Sequence, residues 1–165
     1  MLDAAGASKQ TIALYATVSQ VVATIAQLVA GRAADRLGCR LPTLLAFAVL
    51  VASVLATALV AESILGVFVF GTLGAASAWA LSTLLPCVVA RITPSSERGR
   101  VLGWIHLWWN AGMVLGSLVG GALYERSAGL PFGVASAGIA AVLLVSAVSL
   151  PRLLAQPQKD EVAAI

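Results

Sequence analysis

The chain has 165 residues, 60% hydrophobic and only 10% charged, with a formal net charge of +3. That balance excludes a soluble domain, which would lack the polar surface to cover its core. Apolar stretches of about 20 residues recur as far as Leu150, so one cleavable targeting segment cannot account for them. The arginines sit in short gaps between these stretches and form no continuous patch for a nucleic acid.

Charges and turn residues cut the chain into five apolar segments, at about 10–31, 41–61, 64–90, 101–124 and 132–150, followed by a polar tail over 151–165. Each is long enough to span a bilayer. A closed barrel would need short alternating strands, whereas these segments are long and rich in Ala, Leu, Val and Gly. The expectation is an all-α polytopic membrane protein forming one domain of about five transmembrane helices, with the lipid bilayer as its solvent.

Alternate loops share a side. Arg32, Arg36, Arg40, Arg91, Arg98, Arg100, Arg152 and Lys159 fall on one side, Lys9 and Arg126 on the other. The positive-inside rule makes the richer side, and with it the C-terminal tail, cytoplasmic in a cell membrane. The N-terminus then starts outside, behind a leader that has no signal-peptide character, so a preceding helix is inferred to be missing.

Cys39 lies in a polar loop and Cys87 in an apolar run 48 residues away, with no CxxC or Cys/His spacing around either. Neither a metal site nor a disulfide is expected. Enzyme chemistry has no visible equipment: the chain has one His, no intramembrane Asp, Glu or Lys, and no nucleophile beside a base. No cofactor is expected.

In the first span Thr17, Gln20, Thr24 and Gln27 follow steps of three and four and line one helical stripe. In the third span Thr72, Trp79 and Thr83 do the same, with Pro86 on that face to bend the helix; Trp79 equally suits ordinary packing. In the fourth span His106, Asn110, Met113 and Ser117 form a stripe offset from a row of Gly112, Gly116 and Gly120. The glycines allow another helix to pack backbone to backbone, and the polar row is placed to bind solute. His106 suits either an interfacial hydrogen bond or a coupling proton. The second and fifth spans carry only scattered Ser and Thr and are candidates for lipid contact.

The first basic loop reads Gly31-Arg32-Ala33-Ala34-Asp35-Arg36-Leu37-Gly38-Cys39-Arg40. It resembles the signature loop of the major facilitator superfamily (MFS), G-x-L-A-D-R-x-G-R-K/R, matching at Gly31, Ala34, Asp35, Arg36, Gly38 and Arg40 and departing at Ala33 and Cys39. Read without the resemblance, the same loop is a basic turn between two spans. Gly31 would let the first helix end close to its neighbour, Gly38 permits a positive-φ turn, and Asp35 is placed to cap a facing helix or to pair with Arg98. A second stretch, ARITPSSERGRVLGW followed by NAGMVLGSLVGGALYE, is similar to a later loop and glycine-rich helix of the same family. The family's antiporter motif has Gly-Pro where this chain has Gly116-Ser117, which favours helix packing over an antiport motif.

The resemblance implies an MFS-type half bundle, part of a secondary transporter that moves a small solute by alternating access. It implies a partner in the other half of the transporter and a gating role for Asp35. VFVFG at 67–71 lacks the intramembrane Arg that first halves commonly carry, which points to the second half. The competing expectation is a non-transporting membrane subunit or an inactive truncated fragment. Substrate, direction and coupling ion are not readable from the residues.

Overall fold

A computed structural model describes residues 6–155. The leader ahead of Gly6 and the tail beyond Ala155, including Lys159, lie outside the described residues. The chain forms five α-helices: α1 (Lys9–Leu37), α2 (Arg40–Leu59), α3 (Ile64–Ile92), α4 (Arg98–Tyr124) and α5 (Leu130–Leu154). Side-chain oxygens start two of them. Ser8 Oγ accepts from the Thr11 amide and Ser63 Oγ from the Gly66 amide, each at 3.2 Å, satisfying donors that a first helical turn leaves open.

Four helices, α1, α2, α3 and α5, are long and apolar enough to cross a membrane. The fourth, α4, has the length at 27 residues but is more polar, because His106, Asn110 and its tryptophans interrupt the aliphatic run. Large apolar side chains such as Leu14, Val21, Val114, Leu118 and Val145 point outward. Such a surface suits hydrocarbon and not water.

Helix α3 is the axis of the bundle and touches each of the other four helices. It packs on α1 through small residues: Ala30 and Ala34 meet Ala80 and Leu84, flanked by Ala26, Ala46 and Cys87. Short side chains bring the two backbones close, and dispersion contact replaces the hydrophobic drive that lipid does not supply. At the opposite end Tyr15 meets Phe68 edge to face, with ring centroids 5.5 Å apart. By contrast α4 has no buried residue and touches only α3 and α5 among the described residues.

The second helix is more enclosed than its lipid-facing expectation. It lies against both α3 and α5, with Thr43, Ser53 and Thr57 buried. Their hydroxyls donate to the carbonyls of Cys39, Val49 and Ser53 at 2.6, 2.6 and 2.8 Å, so a polar group enters an apolar contact already satisfied. Ser136 of α5 donates across to the Val51 carbonyl at 3.3 Å.

The expectation for the first connection is corrected in its position. Helix α1 does not end at Gly31 but continues to Leu37, and the reversal is made by Gly38 at φ 77°. Gly31 keeps helical geometry, and a Cβ there would sit 3.9 Å from Thr83 Cγ2, an ordinary contact.

The expectation of no disulfide is also corrected. Cys39 and Cys87 are bonded, with Cα atoms 6.1 Å apart. No spacing rule foretells this pairing, because the bundle and not the local chain brings the α1–α2 turn beside the last turns of α3. Val88 and Leu150 cover Cys39, with Leu44 and Leu154 packed around them.

Candidate functional site

The helices alternate in direction, so the α1–α2 turn, the end of α3, the start of α4 and the end of α5 share one end of the bundle. Arg32, Arg36, Arg40, Arg91, Arg98, Arg100 and Arg152 all lie at that end, and only Lys9 and Arg126 at the other, among the described residues. The signature segment therefore sits within the basic end, half on the last turns of α1 and half on the turn itself.

Asp35, Arg36 and Arg40 are exposed there. Asp35 makes no hydrogen bond or ion pair among the described residues, and the expected Asp35–Arg98 pair does not form. Arg98 turns instead to the end of α3: Nη2 donates to the Ala90 carbonyl at 2.8 Å and Nε to the Thr93 carbonyl at 3.2 Å. A guanidinium on the last carbonyls of a helix satisfies orphan acceptors and meets the negative end of the macrodipole. The described ion pair at this end is Arg100 with Glu97, 3.1 Å apart and exposed.

The helices that carry the α1 and α3 stripes approach each other closely at one point. One turn beyond Gln27 the α1 stripe reaches Gly31, which lies against Thr83 of α3. Gln20, Thr24, Trp79, Thr83 and Pro86 are exposed and Gln27 is half-buried, so both rows stay largely uncovered among the described residues. Thr17 and Thr24 turn their hydroxyls to the Ala13 and Gln20 carbonyls at 3.0 and 2.9 Å, which leaves the Gln20 and Gln27 carboxamides as the groups free to face a solute. Thr72 departs from its predicted stripe. It is buried, and its hydroxyl pairs with that of Ser19 at 2.9 Å.

The stripe on α4 is not brought to the other two, since α4 makes no contact with α1. His106, Asn110 and Ser117 are exposed and bond their own helix: His106 Nδ1 to the Leu102 carbonyl, Asn110 Nδ2 to the His106 carbonyl and Ser117 Oγ to the Met113 carbonyl, each at 2.8 Å. The Asn110 carboxamide oxygen remains open. A carbonyl only accepts, so His106 Nδ1 carries a proton in this bond.

Gly112, Gly116 and Gly120 have nothing within 4 Å of where a Cβ would lie. Among the described residues no helix packs closely on the glycine row. Gly116, Ser117 and Gly120 instead border an open groove with Pro131 and Phe132 of α5, so the binding and packing rows of α4 are not cleanly separate at Ser117.

An apolar cavity of about 460 Å³ lies toward the end remote from the arginines, lined by Ile12, Tyr15, Val54, Thr57, Phe70 and Phe132 among others. None of the expected solute-facing residues lines it. Tyr15 was missed by the search for polar stripes, because a single phenol among Ile, Leu and Ala gives no periodic signal.

Long apolar helices with outward aliphatic side chains and one basic end define a polytopic membrane protein. The chain belongs to the Major Facilitator Superfamily, whose family model matches residues 1–164. A similar protein is the "Tetracycline resistance protein, class H" of Pasteurella multocida, 29% identical over 135 residues, which are 82% of this chain and 32% of that relative. The chain thus spans about a third of the length of the curated relative it matches.

Proposed function

We propose that the chain is the second half bundle, or most of it, of an MFS secondary transporter that moves a small solute by alternating access, without enzymatic chemistry. The observation that carries this reading is the exposure of both polar rows on two helices that come together beside Gly31 and Thr83, and the two rows are read as one face. Gln20, Thr24, Trp79 and Thr83 are exposed and Gln27 is half-buried, whereas the buried positions of the same helices hold small, hydroxyl-bearing and aliphatic residues. In a membrane, polar side chains that neither pack nor lie at an interface mark a solute path or a docking surface.

The other half of the transporter would close over this face, with Asn110, His106 and Ser117 joining the lining from α4. The arginine end faces the cytoplasm in a cell membrane, as the positive-inside rule requires. Asp35, exposed and without a partner among the described residues, pairs with a helix N-terminus or a cation of the facing half and holds the cytoplasmic gate closed. A coupling proton, where one is used, binds at His106 Nε2.

The relative's name makes tetracycline the first solute to test. Transport is measured in membrane vesicles carrying the full-length gene product. Gln27→Ala and Asn110→Ala are expected to raise KM several-fold at normal expression, and Asp35→Asn to lower turnover with KM little changed. Unchanged kinetics in Gln27→Ala and Asn110→Ala sink the solute-facing assignment, and unchanged turnover in Asp35→Asn sinks the gate. Absence of any solute-dependent flux across a panel of solutes favours a non-transporting subunit.

A further inference from the structure

The disulfide occupies an informative place. Cys39 follows the reversing Gly38 and is only 1% exposed, while Cys87 is half-buried and follows Pro86. Proline has no amide hydrogen, so the Ser82 carbonyl loses its usual i+4 donor and α3 is locally less braced there. The bond therefore ties the signature turn to the stretch of α3 whose hydrogen-bond ladder is interrupted.

The tie itself is covered by aliphatic side chains, but arginines lie at the same end of the bundle. Arg40 is its chain neighbour, Arg91 Nη1 lies 4.0 Å from where a Cβ on Gly38 would be, and Arg32 and Arg36 are exposed on the last turns of α1. A positive cluster concentrates small anions near it. The cytoplasmic side is reducing, and disulfides found there are typically transient and redox-sensing.

We propose that Cys39 and Cys87 form a thiol–disulfide switch, set by an anionic low-molecular-weight thiol of the glutathione class, that clamps the signature turn to α3 when oxidised. The inference rests on the cytoplasmic placement of the arginine end proposed above. In reduction, the small thiolate attacks Sγ of Cys87, the less buried of the two residues; a mixed disulfide forms and Cys39 leaves as thiolate, which takes up a proton. A second small thiolate attacks the sulfur of the small thiol in that mixed disulfide, releasing the oxidised small disulfide and the Cys87 thiolate, which is protonated in turn. Two electrons pass from two small thiols to the protein. Oxidation by the small disulfide is the reverse.

The test uses the chain in membrane vesicles equilibrated with reduced and oxidised glutathione across a range of ratios, then acid-quenched, denatured and counted with a polyethylene-glycol maleimide. Adducts at the two cysteines of the chain are expected to fall from two to none as the ratio becomes oxidising, with intact mass showing an internal disulfide and no attached small thiol, while Cys39→Ser and Cys87→Ser, lacking a partner cysteine, lose their one adduct only by carrying the small thiol as a mixed disulfide. Hydrogen exchange over residues 38–44 is expected to slow by roughly fivefold in the oxidised form, as the turn loses its local opening. Two adducts at every ratio, none at any ratio, or unchanged exchange each overturn the switch. Sidedness is read separately with a membrane-impermeant maleimide on Cys39→Ser, which is expected to label Cys87 in inverted vesicles and not in intact cells. Labelling only in intact cells overturns the orientation and the switch with it, even where the disulfide forms; absence of a disulfide with cytoplasmic labelling overturns the switch alone.

Discussion

The hydroxyls of Ser19 in α1 and Thr72 in α3 lie 2.9 Å apart at a buried crossing. They sit within the apolar breadth of the bundle, where neither group has water as an alternative partner. Thr72→Val keeps the volume and removes the bond, and is expected to lower stability by about 0.6 kcal/mol, the average found for interhelical hydrogen bonds in a membrane protein. Thermal unfolding in detergent of Ser19→Ala, Thr72→Val and the double variant checks this. A coupling energy of zero in that cycle removes the pair from the account of α1–α3 packing.

Arg98 holds the start of α4 to the end of α3 through two carbonyls. Arg98→Ala removes one donor from each of those acceptors and is expected to cost about 1 kcal/mol. Hydrogen exchange over residues 93–100 should quicken, while exchange in α1 and α2 stays as it was. An equal effect on α1 would mean that Arg98 acts elsewhere.

The glycines divide into two kinds. A Cβ on Gly129 would stand 2.5 Å from the Ala58 carbonyl oxygen, a backbone atom that cannot swing aside, whereas a Cβ on Gly116 meets nothing. Gly129→Ala is expected to destabilise the chain by about 1–3 kcal/mol, and Gly116→Ala to leave its thermal unfolding unchanged. Gly38, at φ 77° and ψ 167°, belongs with Gly129: alanine there is expected to cost about 1–3 kcal/mol because that backbone region is essentially glycine's alone.

His106 presents Nε2 outward while Nδ1 bonds the Leu102 carbonyl. Gln at this position keeps a donor for that carbonyl but does not take up a proton near neutral pH. His106→Gln is expected to preserve solute binding and to abolish accumulation driven by a pH gradient. Retained gradient-driven accumulation assigns the proton to another group.

The five helices were readable because lipid permits few solutions: a run of about 20 apolar residues closes its own hydrogen bonds as a helix. Gly38 was readable as the turn, since the backbone there needs a positive φ that glycine adopts freely. The stop at Gly31 was misplaced because Arg32, Asp35 and Arg36 look like loop residues, yet charges near a membrane surface sit comfortably on a helix end. The burial of Ser53, Thr57 and Ser136 left no trace in the sequence. A hydroxyl that bonds a helix carbonyl is compatible with lipid and with a helix neighbour alike.

The stripes on α1 and α3 were found by periodicity, but the approach of their helices at Gly31 and Thr83 depended on which helices are neighbours. The disulfide was illegible for the same reason. Thr72 shares its period with Trp79 and Thr83, and only the position of Ser19 on the adjoining helix withdraws it from the exposed row.

The weak attachment of α4 bears on how the protein is made. A segment carrying His106, Asn110 and three tryptophans partitions from the translocon into lipid less readily than α2 or α5, by the ordering of side-chain insertion energies. It also gains few contacts from the helices beside it. Its entry into the bilayer is then expected to lean on α5, which follows within a few residues and is strongly apolar, the two entering as a hairpin. Biogenesis, and not only solute binding, thus limits how much polarity this helix can carry.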